Sequence, residues 1–329
     1  MYRQRKKIVG RSTIIFSFLI SPLICQAQLS FENGTAWVDV GDSGKGNVGY
    51  VFKISKHETT VSQYVNFLNN VAVSSDPYDL FHGFSWRYSE PILRNGSNGN
   101  YNYSVAEGFQ NRAITGINWL DAARYVNWLH NGGLSSSSTE TGVYTLNGIT
   151  SISSGTTISR SQNAKYFIPT MEEWKKAGFY DSSKNDGSGG WWDLANRSNV
   201  GYNEFGGVIP GDSSKMNINQ VYFDPARGYV TDVGYFSGQE SYYGTFDQSG
   251  NVWEWTEGAP SSGTVGGLNG GAWDYFDATA GSTMVGGNRN ADFRKDSTGF
   301  RIAGVPEPSA LSLLAVGLGV ILRRSRRKV

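Results

Sequence analysis

The chain has 329 residues, with 29 Lys and Arg against 28 Asp and Glu and a formal charge of +1, so there is no electrostatic case for nucleic acid. Its single cysteine is Cys25, and the body of the protein is therefore closed to disulfides, zinc-cysteine centres and iron–sulfur clusters. High glycine and aromatic content with modest charge describes a loop-rich domain whose loops are tied down by tyrosine and tryptophan.

At the N-terminus, Arg3, Arg5, Lys6, Lys7 and Arg11 precede an apolar run from Ile14 to Ile24, and Cys25-Gln26-Ala27 supplies the small residues that signal peptidase needs. This predicts a secretory signal peptide over residues 1–27, cut after Ala27. The run is short for a membrane span, and Ile24 stands where a lipoprotein signal wants a small residue. Cleavage removes the only thiol. What remains up to residue 304 is about 275 residues, a length that suits one large domain.

Residues 35–54 alternate around Trp37, Val38, Val40, Val51, Phe52 and Ile54 and predict a hairpin turning through Gly41 to Gly49. Thr60-Val61-Ser62-Gln63 is a capping box ahead of Val61, Tyr64, Val65 and Leu68, which predicts a helix over about 61–69. A second helix opens at Asn118-Trp119-Leu120-Asp121 and stops at Gly132-Gly133. Between Ser135 and Asn163 an inserted hairpin is expected around Val143 to Gly148. A third helix follows Pro169 through the capping box Thr170-Met171-Glu172-Glu173. From Asp181 to Gly244 periodicity is poor, and internal loops of that length are usually functional or metal-stabilised. Short strands are expected at 251–256, 269–274 and 298–303; in the first, Trp253 and Trp255 share a buried face and Glu254 points the other way.

The C-terminus carries Val305-Pro306-Glu307-Pro308, an apolar run from Ala310 to Leu322, and then Arg323, Arg324, Arg326, Arg327 and Lys328. That order looks like the PEP-CTERM sorting signal of Gram-negative bacteria, which implies transient membrane association through the tail and cutting by an exosortase near Pro306, Glu307 and Pro308. The basic cluster would stay cytoplasmic, so everything upstream would face outwards. The expectation is export through the inner membrane and display outside the cell or on its surface.

The stretch Gly250-Asn251-Val252-Trp253-Glu254-Trp255 resembles the signature of the formylglycine-generating enzyme, or sulfatase-modifying factor, family. The likeness runs in order through Phe52 to Thr60, Asn118 to Ala122, Tyr166 to Trp174, Phe246 to Trp255, Asn269 to Trp273 and Gly299-Phe300-Arg301. It implies an α+β fold of the C-type-lectin-like kind with little regular secondary structure, over residues 28–304. In active members two cysteines bind copper and activate oxygen; the aligned positions here hold Tyr275 and Ala280. A phenol does not replace a thiolate as a soft copper(I) ligand, and alanine replaces nothing, so formylglycine generation is not expected.

The same resemblance implies a structural calcium held by the Asp247 side chain, the carbonyls of Gly250 and Val252, and the Glu254 carboxylate, with Arg294 or Arg301 as the competing partner of Glu254. It places a second calcium near Asn217, Ile218 and Asp224. Trp273, Tyr275 and Phe276 gather aromatic surface where the family places substrate, and rings of this kind stack on sugars or peptides. The expected function is a binding module for an extracellular polysaccharide or protein. The alternative is an oxidoreductase with a non-thiolate site such as non-heme iron. His57, His82 and His130 lie in separate blocks without ligand spacing, and Ser249 lacks the glycine two residues before it that a nucleophile elbow requires.

Overall fold

The computed structural model describes residues 32–82, 90–152, 158–199, 216–218, 220, 223–258, 266–274 and 285–306. Tyr275, Phe276, Ala280, Glu307 and Pro308 lie outside the described residues, as do the expected signal peptide with Cys25 and the apolar and basic parts of the tail.

All three helices start where their caps predict. Thr60 accepts the Gln63 N–H and Gln63 returns the bond, starting α1 (Val61–Val71), which buries Val61, Tyr64, Val65, Phe67 and Leu68. Asn118 and Asp121 close the same reciprocal bond ahead of α2 (Trp119–His130). Every residue of α2 from Trp119 to Leu129 is buried, so it runs through the core rather than along its surface. Thr170 and Glu173 do the same for α3 (Met171–Phe179).

The predicted first hairpin is present: β1 (Trp37–Val40) pairs antiparallel with β2 (Phe52–Ser55). The short strands β5 (Tyr166–Phe167) and β12 (Ala303–Gly304) complete a sheet of order β1-β2-β12-β5. A second sheet has the order β10-β9-β8-β11, with β8 at Trp253–Glu257, β9 at Gly266–Asn269, β10 at Val285–Arg289 and β11 at Thr298–Phe300. In it β8 runs parallel to β11, setting Glu254 opposite Gly299 and Trp255 opposite Phe300. The Trp255 indole N–H donates to the Ile117 carbonyl at 2.7 Å, which ties this sheet to the lead-in of α2.

Two expectations are corrected. The stretch 135–163 forms no strand among its described residues. Its backbone is held instead by the buried amide of Asn127, whose Oδ1 accepts the N–H groups of Val143 and Tyr144 and whose Nδ2 donates to the carbonyls of Thr139 and Tyr144. The strand expected at 269–274 lies earlier, because Gly270 and Gly271 take φ of 92° and 77° and turn the chain out of the sheet. A hairpin not expected is β3 (Ile92–Ser97) with β4 (Asn100–Val105), packed on α1. The fold is loop-rich α+β with little regular secondary structure, as anticipated.

Candidate functional site

Four charged side chains, Glu254, Arg301, Asp247 and Glu58, come together beside the second sheet. Glu254 on β8 and Arg301, just after β11, are both fully buried. They form a bidentate pair, Arg301 Nε to Glu254 Oε2 at 2.5 Å and the second guanidinium nitrogen to Oε1 at 2.7 Å. The Trp174 indole N–H from α3 also donates to Oε2, at 2.7 Å. Arg301 spends its remaining N–H groups on the carbonyls of Ser55, Lys56 and Phe246. A buried charge needs this degree of pairing to be tolerated.

Asp247 and Glu58 stand beside this pair without a cation of their own. Asp247 takes a positive φ of 62° and accepts the Gly234 N–H at 2.6 Å. Glu58 receives one bond from the Asn251 amide at 3.0 Å, while its Oε2 has no conventional donor. Burial pushes Asp247 up to about 6. Burial, and then the charges of Asp247 and Glu254, push Glu58 well above the usual carboxylate range. One guanidinium thus faces three carboxyl groups, and two of those are held towards their protonated forms.

In this geometry Glu254 has no open oxygen for the calcium expected at Asp247, Gly250, Val252 and Glu254. Both Glu254 oxygens already accept N–H donors, and the fixed positive charge that a cation would supply is present as Arg301. Glu254 is an ion-pair partner and not an open ligand, a correction to the expectation for that residue. Gly250 serves packing: with φ of 107°, an added Cβ would meet the Asn217 carbonyl oxygen at 2.6 Å. Val252 is fully buried in the core. The second cluster is partly engaged, with the buried Asn217 Oδ1 left without a donor among the described residues. Asp224 is bonded to Arg227 at 2.7 Å and to Arg112 at 3.4 Å, Asn217 donates to the Tyr229 carbonyl and to Asn251, and Ile218 is buried. Among the described residues no group of three or more His, Cys, Asp or Glu is arranged to hold a metal ion.

The histidines are also apart. His57 packs on Phe246, His82 bonds Asp79 and Arg294, and His130 accepts the Lys165 N–H. Burial, with Arg301 and Lys56 nearby, pushes His57 down to about 4, so its imidazole is neutral at ordinary pH.

Trp273 is placed differently from expectation. It is 7% exposed, and its ring lies parallel to Tyr229 at 4.6 Å and 1°. Phe223 tilts against Tyr229 at 4.9 Å and is 46% exposed. Trp273 is the buried foot of an aromatic cluster that reaches the surface at Phe223, a residue that sequence reasoning missed because it lies in the aperiodic stretch from Asp181 to Gly244. The foot is fixed by backbone bonds from the Trp273 N–H to the Asn251 carbonyl and from the Gln220 N–H to the Trp273 carbonyl. Among the described residues the Trp273 indole N–H has no partner.

Residues 31–305 match the family model described as the sulfatase-modifying factor enzyme 1-like domain. Among solved structures the chain is similar to CarF, at 18% identity over 83% of this chain and 99% of that one with a TM-score of 0.48. It is also similar to Treponema denticola variable protein 1 (18%, 83% and 93%, TM-score 0.46) and to PvdO from Pseudomonas aeruginosa (16%, 83% and 92%, TM-score 0.40). No curated protein matches the chain.

Proposed function

Since the chain belongs to the sulfatase-modifying factor enzyme 1-like family, we propose that it is a non-catalytic member: an exported, surface-sorted module that binds carbohydrate or an extended peptide. The observation that carries this is the position of its one cysteine. Cys25 precedes the family domain at 31–305, so the domain contains no thiol with which to bind copper or activate oxygen. The iron alternative is no better supplied, because its three histidines are engaged with separate partners.

The aromatic stack supports the binding role. Phe223 offers an exposed ring backed by Tyr229 and Trp273, and a backed ring loses little freedom when a sugar face or peptide lies on it. Ring pairing contributes about 0.5–1.5 kcal/mol beyond area burial, so single contacts would be weak and a polymer would add avidity. Phe223→Ala should reduce retention on a polysaccharide column, with the melting temperature unchanged. The order of Pro306-Glu307-Pro308, apolar run and basic tail supports sorting by an exosortase after signal peptidase has acted.

The oxidase side is tested directly. Purified protein incubated with a sulfatase-type cysteine peptide and copper should give no formylglycine product by mass spectrometry above a control without protein. Aldehyde formation above that control would overturn the non-catalytic reading.

A further inference from the structure

A cavity of about 380 Å³ opens between the segment leading into β1, the loop from β2 to α1, and the loops at Asn111 and Val233, away from the aromatic stack and sharing no residue with it. That volume lies within the range of small-molecule sites. Its lining includes the polar residues Asn33, Thr35, Ser62, Gln63 and Asn111 and the apolar residues Ala36, Val233 and Ile302.

The lining contains no Lys or Arg. The α1 N-terminus borders the cavity, but its amides are not open to an anion. The Val61 N–H donates to the Arg112 carbonyl, the Ser62 N–H to the Gln110 carbonyl and the Gln63 N–H to Thr60. The two ionisable groups in the wall offer the cavity little open charge: burial pushes the His57 imidazole down to about 4, and Glu58 is only 2% exposed with its carboxyl pushed upwards by that burial. A charged ligand would leave water without a compensating partner. A lining that combines neutral amides and hydroxyls with aliphatic groups instead matches a pyranose, with hydroxyls around its rim and C–H bonds on its face.

We infer that this cavity is a binding site for an uncharged, polyhydroxylated molecule of monosaccharide size. The inference rests on the carbohydrate reading above for the class of ligand and names a second place where that class is held.

The test is calorimetry on the purified protein with D-glucose, D-galactose, D-mannose and N-acetyl-D-glucosamine, with glucose 1-phosphate and glycine as charged probes. Saturable binding of at least one neutral sugar is expected. Ser62→Trp and Asn111→Trp, which fill the cavity, should weaken it at least ten-fold, while Phe223→Ala leaves it unchanged. Should either filled variant fail to fold, the wild-type side-chain amide signals of Gln63 and Asn111 give a second readout and should shift on addition of the same sugar. Tighter binding of a charged probe, or sugar binding that moves neither the filled variants nor those amides, would overturn the inference. If no monosaccharide binds while polysaccharide retention still depends on Phe223, the cavity assignment fails and the surface reading stands. If nothing of either kind binds, both fail.

Discussion

Strand β8 carries two glutamates, and each meets an arginine in a different setting. At one end Glu257 shares Arg160 with Glu173: Arg160 contacts both oxygens of each carboxylate at 2.8–3.0 Å, and the hydroxyls of Tyr144 and Tyr50 add one bond each. The Arg160 side chain is 19% exposed, so water still reaches this clamp. At the other end Glu254 and Arg301 are sealed completely, and Glu58 and Asp247 bring further acid to the same spot. Near Arg160, burial alone would raise Glu173, yet the guanidinium outweighs it and holds that carboxyl below its ordinary range. Near Arg301 the balance goes the other way for Asp247 and Glu58. Arg160, with solvent access, holds Glu173 below its ordinary range while burial still raises Glu257, whereas beside the sealed Arg301 both Asp247 and Glu58 are raised.

The largest expected effect tests that contrast by deleting each guanidinium. Arg301→Ala would leave three buried carboxyl groups without a cation, and removing one member of a buried pair typically costs about 3–5 kcal/mol. Arg160→Ala should cost less, about 1–3 kcal/mol, because water can solvate the exposed side of Glu257 and replace part of the lost bonding. Urea unfolding of both variants at neutral pH gives the comparison. Equal losses would mean that solvent access does not distinguish the two ends of β8.

A smaller effect sharpens the same point through pH. Asp247 is raised from 3.8 to about 6 on folding. Its contribution is therefore fully present below about pH 4 and is lost as pH rises through 6, amounting to at most about 3 kcal/mol. Asp247→Asn keeps an oxygen for the Gly234 N–H, suits the positive φ, and cannot ionise. The variant should match wild type near pH 4 and become progressively more stable than wild type up to about pH 7, measured by denaturant midpoint. A stability difference independent of pH would place the surplus proton elsewhere in the cluster.

How far this arrangement was legible in the sequence follows from the range of the interactions. Capping boxes act over three residues, so Thr60, Asn118 and Thr170 locate all three helices. Asn98-Gly99 is an equally local signal for the turn between β3 and β4. The stretch from Val143 to Gly148 predicts a hairpin, but Asn127 supplies the hydrogen bonds from a helix, and side-chain satisfaction of backbone groups leaves no pattern in the segment it holds. Glu254 and Arg301 are 47 residues apart, and Glu58 and Asn251 are 193 apart. Composition shows acids and bases in near balance; only the fold shows that three acids share one base.

The smallest expected effect is on metal dependence, and it separates an acidic cluster closed by arginine from one closed by calcium. A cation bound only by the native state raises stability by mass action, so chelation of a resident calcium would lower the melting temperature. In this structure the Glu254 oxygens are filled by Arg301 and Trp174, and Asp224 by Arg227 and Arg112. The expected outcome is that EDTA, followed by exchange into metal-free buffer, leaves the melting temperature within about 1 °C of that in millimolar calcium, which corresponds to well under 1 kcal/mol for a domain of this size. Glu254→Gln separates the two mechanisms further. With arginine as the partner it should destabilise the protein equally with and without calcium, because the charge-assisted pair is lost in both. A loss confined to calcium-containing buffer would instead assign Glu254 to a metal, and the guanidinium seen against it would then be the arrangement of the metal-free protein alone.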